Sequence, residues 1–203
     1  MKKIIMLILA ISTIKYSSAQ LTKHNWLVGG TGLFNSTKYT NDLGFHTQSI
    51  TNIQLAPNIG YFFVDKFVGG LKLNFSTSRN RIISTGEGYN LGKYTTYGFG
   101  PFLRYYCLNV NKQFNLLIDG SYQYNIERSG GVSSNNNTPV PVPTTQYSKN
   151  TFSIAAGPVI YFNTSVGLEF LIGYSTSQYA QNSAGNSGIQ IGLGLQVHLE
   201  RDK

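Results

Sequence analysis

A period of two in hydropathy, held over most of the chain, constrains this sequence more than any other feature. The odd positions from 53 to 63 carry Ile53, Leu55, Pro57, Ile59, Tyr61 and Phe63, with Gln54, Ala56, Asn58, Gly60 and Phe62 between them. Phe114, Leu116, Ile118, Gly120, Tyr122, Tyr124 and Ile126 alternate in the same way with Asn115, Leu117, Asp119, Ser121, Gln123 and Asn125. The rhythm returns over residues 67–75, 97–105, 152–162, 166–174 and 189–199, and in blurred form over 26–34, where Gly29, Gly30 and Gly32 interrupt it. Successive side chains of a strand point to opposite faces, so the pattern predicts eight β-strands, each with one apolar and one polar face. With 22 Gly and no dominance of strong helix formers, a helix bundle is excluded. A chain that is 13% aromatic and only 12% charged is not disordered either.

The connections alternate in length. Residues 64–66, 109–112 and 163–165 are short polar turns, whereas 36–49, 77–93, 128–148 and 178–187 are long and polar. Strict alternation gathers all the long connections at one end. The third carries Ser133-Ser134-Asn135-Asn136-Asn137 followed by Pro139, Pro141 and Pro143, a composition that predicts an extended, mobile loop rather than a folded one. No linker divides the chain.

The start has a different character. Met1-Lys2-Lys3 is basic, Ile4 to Ile14 is a mostly apolar run, and Ser17-Ser18-Ala19 supplies small residues at a cleavage position. This predicts a secretory signal peptide over 1–19, removed after Ala19, and a single domain over 20–203. The run is too short to span a bilayer as a helix, which takes ~20 residues. Loss of Lys2, Lys3 and Lys15 reduces the formal charge from +8 to about +5. The remaining Lys and Arg form no block, so nucleic acid is not an expected partner. Cys107 is the single cysteine and excludes an internal disulfide.

Alternation alone fits either a soluble barrel or a membrane one, and the composition of the two faces separates them. The polar faces are rich in Gly, Ser, Thr, Asn and Gln and poor in charge, which suits a narrow interior better than a water-facing exterior. The apolar faces begin and end in aromatics: Tyr61 and Phe63, Phe67 and Phe75, Tyr97 and Tyr105, Phe152 and Phe162. Two aromatic girdles around an apolar band, on strands of ~9–11 residues, mark a transmembrane barrel. The expected fold is therefore all-β, an eight-stranded antiparallel up-and-down transmembrane β-barrel with short periplasmic turns and long extracellular loops. Lys72, Arg104, Asp119 and Glu169 are the charges on the polar faces and should meet at similar depth, with Arg104 opposite Asp119. Buried charge needs pairing, so a closed network is expected, either packing the lumen or gating it.

Trp26-Leu27-Val28-Gly29-Gly30, Ala56-Pro57-Asn58-Ile59-Gly60-Tyr61-Phe62, Gly98-Phe99-Gly100-Pro101-Phe102-Leu103-Arg104-Tyr105-Tyr106 and the closing stretch 188–199 together carry a family likeness. The chain resembles the bacterial outer-membrane β-barrel domain family, the small OmpX/OmpA-like and porin-like group, over residues 21–199. The resemblance implies residence in a Gram-negative outer membrane. It implies outer-membrane lipid and lipopolysaccharide as neighbours, and the barrel-assembly machinery as a partner during insertion. It also implies an assembly signal in the last strand, to which Gln190, Gly192, Leu195 and Val197 correspond. Such chains usually finish on an aromatic, whereas here Leu199 is followed by Glu200-Arg201-Asp202-Lys203.

No catalytic constellation is visible. None of His24, His46 and His198 reads as paired with a Ser, and no His, Cys or carboxylate cluster has metal-ligand spacing. Asp42, Glu87 and Glu127 read as scattered loop carboxylates. No cofactor is expected. The function expected is non-enzymatic, structural or surface-interacting through loops that meet a surface or host ligand. A narrow porin-like channel and a soluble periplasmic ligand-binding barrel are the alternatives.

Overall fold

Each alternating segment is a strand, and each strand is longer than its apolar stretch. The computed structural model describes residues 21–40, 46–84, 88–109, 112–135, 138–181 and 185–199. The signal peptide expected over 1–19, and the carboxylates Asp42 and Glu87, lie outside the described residues. The strands are β1 (Trp26–Thr40), β2 (His46–Val64), β3 (Phe67–Ser84), β4 (Gly88–Tyr106), β5 (Phe114–Asn135), β6 (Thr138–Tyr161), β7 (Val166–Tyr179) and β8 (Gly185–Leu199). Every neighbour pairs antiparallel, and β8 returns to β1, closing the barrel.

The long polar connections are not irregular loops along most of their length. Residues 77–84 pair with 88–95, and 128–135 pair with 138–146, so the ladders continue well past the apolar stretches. Hydropathy alternation reports what surrounds a strand; backbone pairing continues in polar sequence as readily as in apolar. The expectation of an unfolded third loop is corrected most directly, because Pro139, Pro141 and Pro143 lie within β6, opposite β5. Prolines at alternate positions remove N–H groups from one edge of a strand only. Beyond Lys149↔Tyr179 β6 pairs with β5 alone among the described residues, so it has an uncovered edge where those donors are not needed. Proline there also discourages pairing with another chain.

The two side-chain rows separate as the alternation requires. Leu55, Ile59, Leu71, Leu73, Leu103, Ile118, Ile154, Ile172 and Leu193 are all exposed on the outer wall. Aromatics border this belt on both sides: Trp26 with Tyr61 and Phe63 with Phe67 toward the short turns, Phe75 with Tyr97 and Phe99 with Tyr124 toward the long hairpins.

The inner row changes character along the barrel. At the short-turn end it is apolar: Leu27, Phe62, Val68, Phe102, Tyr106, Leu117, Val159 and Tyr161 are buried in one cluster. Residues 21–25 cross this end. Lys66 N–H donates to the Leu21 carbonyl (2.8 Å) and His24 N–H to that of Phe62 (2.8 Å), and the Leu21 side chain completes the cluster. Lys66, with φ of 68°, forms the tight β2–β3 turn with Asp65, whose Oδ1 accepts from Lys23 N–H at 2.7 Å.

Phe62 and Phe63 are neighbours in sequence on opposite walls. Phe62→Ala should cost about 3–5 kcal/mol by opening a cavity in the apolar floor. Phe63→Ala, which gives up an edge contact with Phe67, should cost only about 0.5–1.5 kcal/mol. Urea unfolding of the two variants compares them directly, and equal losses would contradict the assigned faces.

Candidate functional site: the charged girdle of the lumen

Strand register brings the four lumen charges together just above the apolar floor. Arg104 stands opposite Asp119 across β4 and β5. Its Nε and Nη2 each lie 3.0 Å from Asp119 Oδ2, and its Nη1 donates to Glu169 Oε2 at 2.9 Å. Lys72 Nζ, from β3, donates to Asp119 Oδ1 at 2.5 Å. Two cations and two carboxylates make a neutral set, and Arg104, Asp119 and Glu169 are essentially inaccessible. Neutrality and mutual pairing are what allow these groups to stay ionised away from water.

Two features hold the network that the sequence did not single out. Gln196, on β8, accepts at Oε1 from the Tyr106 hydroxyl (2.5 Å) and from Arg104 Nη1 (3.3 Å), extending the girdle across the lumen. The Phe102 ring lies beneath both cations, 5.3 Å from Lys72 Nζ and 5.8 Å from Arg104 Cζ. Gly194 provides the room: a Cβ there would stand 2.5 Å from Glu169 Oε1. His198 lies below, buried against the rings of Phe62, Tyr106 and Tyr161.

Higher in the lumen the contacts become neutral. Asn74 Nδ2 donates to Asn125 Oδ1 (3.0 Å), Asn125 Nδ2 to Thr151 Oγ1 (3.0 Å), and Thr151 shares a 2.8 Å bond with Ser177. This rung passes over β4 because position 98 is glycine; any Cβ there would overlap the Asn125 amide. Glu127, expected as a solvated loop carboxylate, is instead on β5 and part-buried. It accepts from Lys149 Nζ (2.6 Å) and from the Tyr179 hydroxyl (3.2 Å). Open space remains between and above these layers, a cavity of about 100 Å³ against Lys72 and Asp119 and another of about 250 Å³ by Asn125 and Lys149.

The remaining candidates are placed as follows. Gln190 and Gly192 are on the inner row of β8, and Gln190 Nε2 donates to Ser175 Oγ at 2.9 Å. Leu195 and Val197 are on its outer row. His24 Nδ1 is 2.7 Å from the Tyr61 hydroxyl. His46 is brought by the β2–β3 register to Ser84, with Nδ1 and Oγ 2.9 Å apart at the end of both strands.

No family model matches the chain, and no curated protein matches its sequence. Among solved structures it is similar to Neisserial surface protein A (NspA), at 11% identity over 85% of this chain and 96% of that one, with a TM-score of 0.47. The N-terminal β-barrel domain of Pseudomonas aeruginosa OprF is similar at 12% identity, covering 87% of this chain and 98% of that one, TM-score 0.42. The β domain of the Bordetella autotransporter BrkA follows at 9% identity, 88% and 100% coverage, TM-score 0.25. The eight-stranded ring rests on this chain's own ladders.

Arg104→Met leaves Asp119 with Lys72 but strands Glu169 without its cation, and should cost about 3–5 kcal/mol. Adding Glu169→Gln in that background should recover part of the loss. Unfolding free energies of the single and double variants measure the coupling, and strict additivity would show that the two groups do not interact.

Proposed function

We propose that the chain is an integral outer-membrane barrel with a sealed lumen, non-enzymatic, serving a structural or surface-interaction role through its polar hairpins. The observation that carries the reading is the closure of the lumen. A neutral ion-paired girdle at Arg104 stands on an apolar floor of Leu27, Phe62, Phe102, Tyr106 and Tyr161. In eight-stranded barrels side chains fill the interior, which disfavours the narrow-channel alternative. The exposed apolar belt with aromatic borders supports a bilayer over the soluble alternative, because exposed apolar surface of this extent is a liability in water.

On this reading outer-membrane lipid and lipopolysaccharide surround the belt, the signal peptide directs export, and the assembly machinery engages the last strand during insertion. The hairpins are the part free to meet a surface or host ligand. The β5–β6 hairpin extends furthest past the belt in the ladder, to Asn135↔Thr138.

Planar-bilayer recording tests the sealed lumen. The folded barrel should give no steady conductance, and a stable open level abolished by blocking the Arg104 girdle would contradict the reading. Deleting residues 129–146 should leave a folded barrel, because this stretch lies past the apolar belt and pairs only with β4 and within its own hairpin among the described residues, while abolishing any surface adhesion. Hydrolysis of lipid ester bonds by the pure barrel, lost in Ser84→Ala, would contradict the non-enzymatic role and locate the activity at the His46–Ser84 contact.

A further inference from the structure

The barrel is closed by its shortest ladder. β1 and β8 pair over seven positions, from Trp26↔Leu199 to Gly32↔Leu193, and no further among the described residues. On their other sides both strands continue: β1 pairs with β2 to Thr40↔Thr47, and β8 with β7 to Gln178↔Gly185. Residues 33–40 and 185–192 therefore face each other across a notch with uncovered backbone edges. The notch begins within the apolar belt, since Phe34 and Ile189, which flank it, are 70% and 77% exposed, the highest values for large hydrophobic residues among those described. Unpaired N–H and C=O groups at that depth are costly in hydrocarbon unless something polar meets them.

Two spaces meet at the notch. Outside, small residues at positions 30 and 32 leave an apolar groove of about 710 Å³ between Leu55 and Pro57 on one side and Leu193 and Leu195 on the other. Inside is the cavity against Lys72 and Asp119, edged by Gln54, Gln123 and Gln190. Thr31 and Gly32 line both. The groove alone falls within the ~300–1,000 Å³ typical of small-molecule sites.

We propose that this seam binds an amphiphile: an acyl chain lies in the outer groove and a neutral, hydroxyl-bearing head passes through the notch into the lumen cavity. Lys72 and Asp119 already neutralise each other, so the cavity offers amide and hydroxyl partners rather than net charge. The head group also supplies hydrogen bonds to the uncovered backbone edges. The proposal rests on the membrane reading, because a belt that faced water would present no acyl chain to the groove.

Monoolein, one acyl chain on a glycerol head, is the probe, titrated into the detergent-released barrel and followed by native mass spectrometry. Heat-modifiable gel migration of the same samples reports folding and detergent dependence independently. The wild type should take up one molecule. Gly32→Phe fills the groove, and the space admits it, since a Cβ there meets only Leu55 Cδ2 at 3.6 Å. Excluding even two methylenes should weaken binding on the order of tenfold. Gly120→Phe is the control: it fills a second outer groove, by Leu103 and Ile154, where β5 and β6 pair without a break from Phe114↔Ile160 to Ser129↔Thr145, and should leave binding unchanged. Equal affinity in Gly32→Phe and wild type, equal loss in both variants, or no uptake by a folded, detergent-requiring barrel overturns the proposal. So does a dilution-resistant dimer joined through these edges, which would assign the seam to strand addition. A chain that stays soluble without detergent fails the membrane reading instead.

Discussion

Eight strands fix the width of the lumen, and most of the inner wall follows from that width. The interior has room for packed side chains but not for a row of independently hydrated charges. Inward positions are therefore apolar and packed at the floor, and above it mostly small and neutral, or ionised and paired. Gly98 lets the Asn125 amide cross β4 to Asn74, and Gly194 leaves space for the Glu169 carboxylate. Arg104 is the pivot of the ionised layer because its guanidinium reaches carboxylates from two directions at once. A lysine at that position would have the charge but not the planar fork.

The girdle and the floor support each other. Phe102 and Tyr106 belong to the apolar cluster, yet one lies beneath both cations and the other bonds Gln196, itself a partner of Arg104. The floor excludes water from the ion pairs, which strengthens their attraction, while the pairing keeps the charges from needing that water. The N-terminal segment adds Leu21 to this arrangement and ties it to the β2–β3 turn. Buried packing is concentrated at the short-turn end, away from the polar hairpins.

The sequence made the ring legible because alternation and turn spacing are local signals. Arg104 opposite Asp119 could be foreseen from the length of one hairpin. Glu169 could be placed in the same layer from its depth, but the contact to Gln196 could not, because it crosses the lumen between strands 92 residues apart in sequence. The apolar floor did leave a signal: near the short turns the alternation collapses into unbroken apolar runs, as in Tyr61-Phe62-Phe63-Val64 and Val159-Ile160-Tyr161-Phe162. Both rows are apolar there because one faces outward and the other fills the floor. The strand extensions over 77–93 and 128–148 were hidden because polar residues on both faces erase the period that marks a strand. The early end of the β1–β8 ladder has no local signature, since it depends on residues at opposite ends of the chain.

The central claim is that the outward row meets lipid while the inward row seals the lumen. Trp26, the single tryptophan, is an intrinsic probe of the first half of that claim, standing on the outer wall beside Tyr61 in the girdle nearest the short turns. Its fluorescence should be measured in vesicles whose acyl chains carry bromine at defined depths. The account predicts strong quenching by bromine near the head groups, fading as the label moves toward the bilayer centre. Emission unaffected by bromine at every depth, from a folded protein, would contradict it.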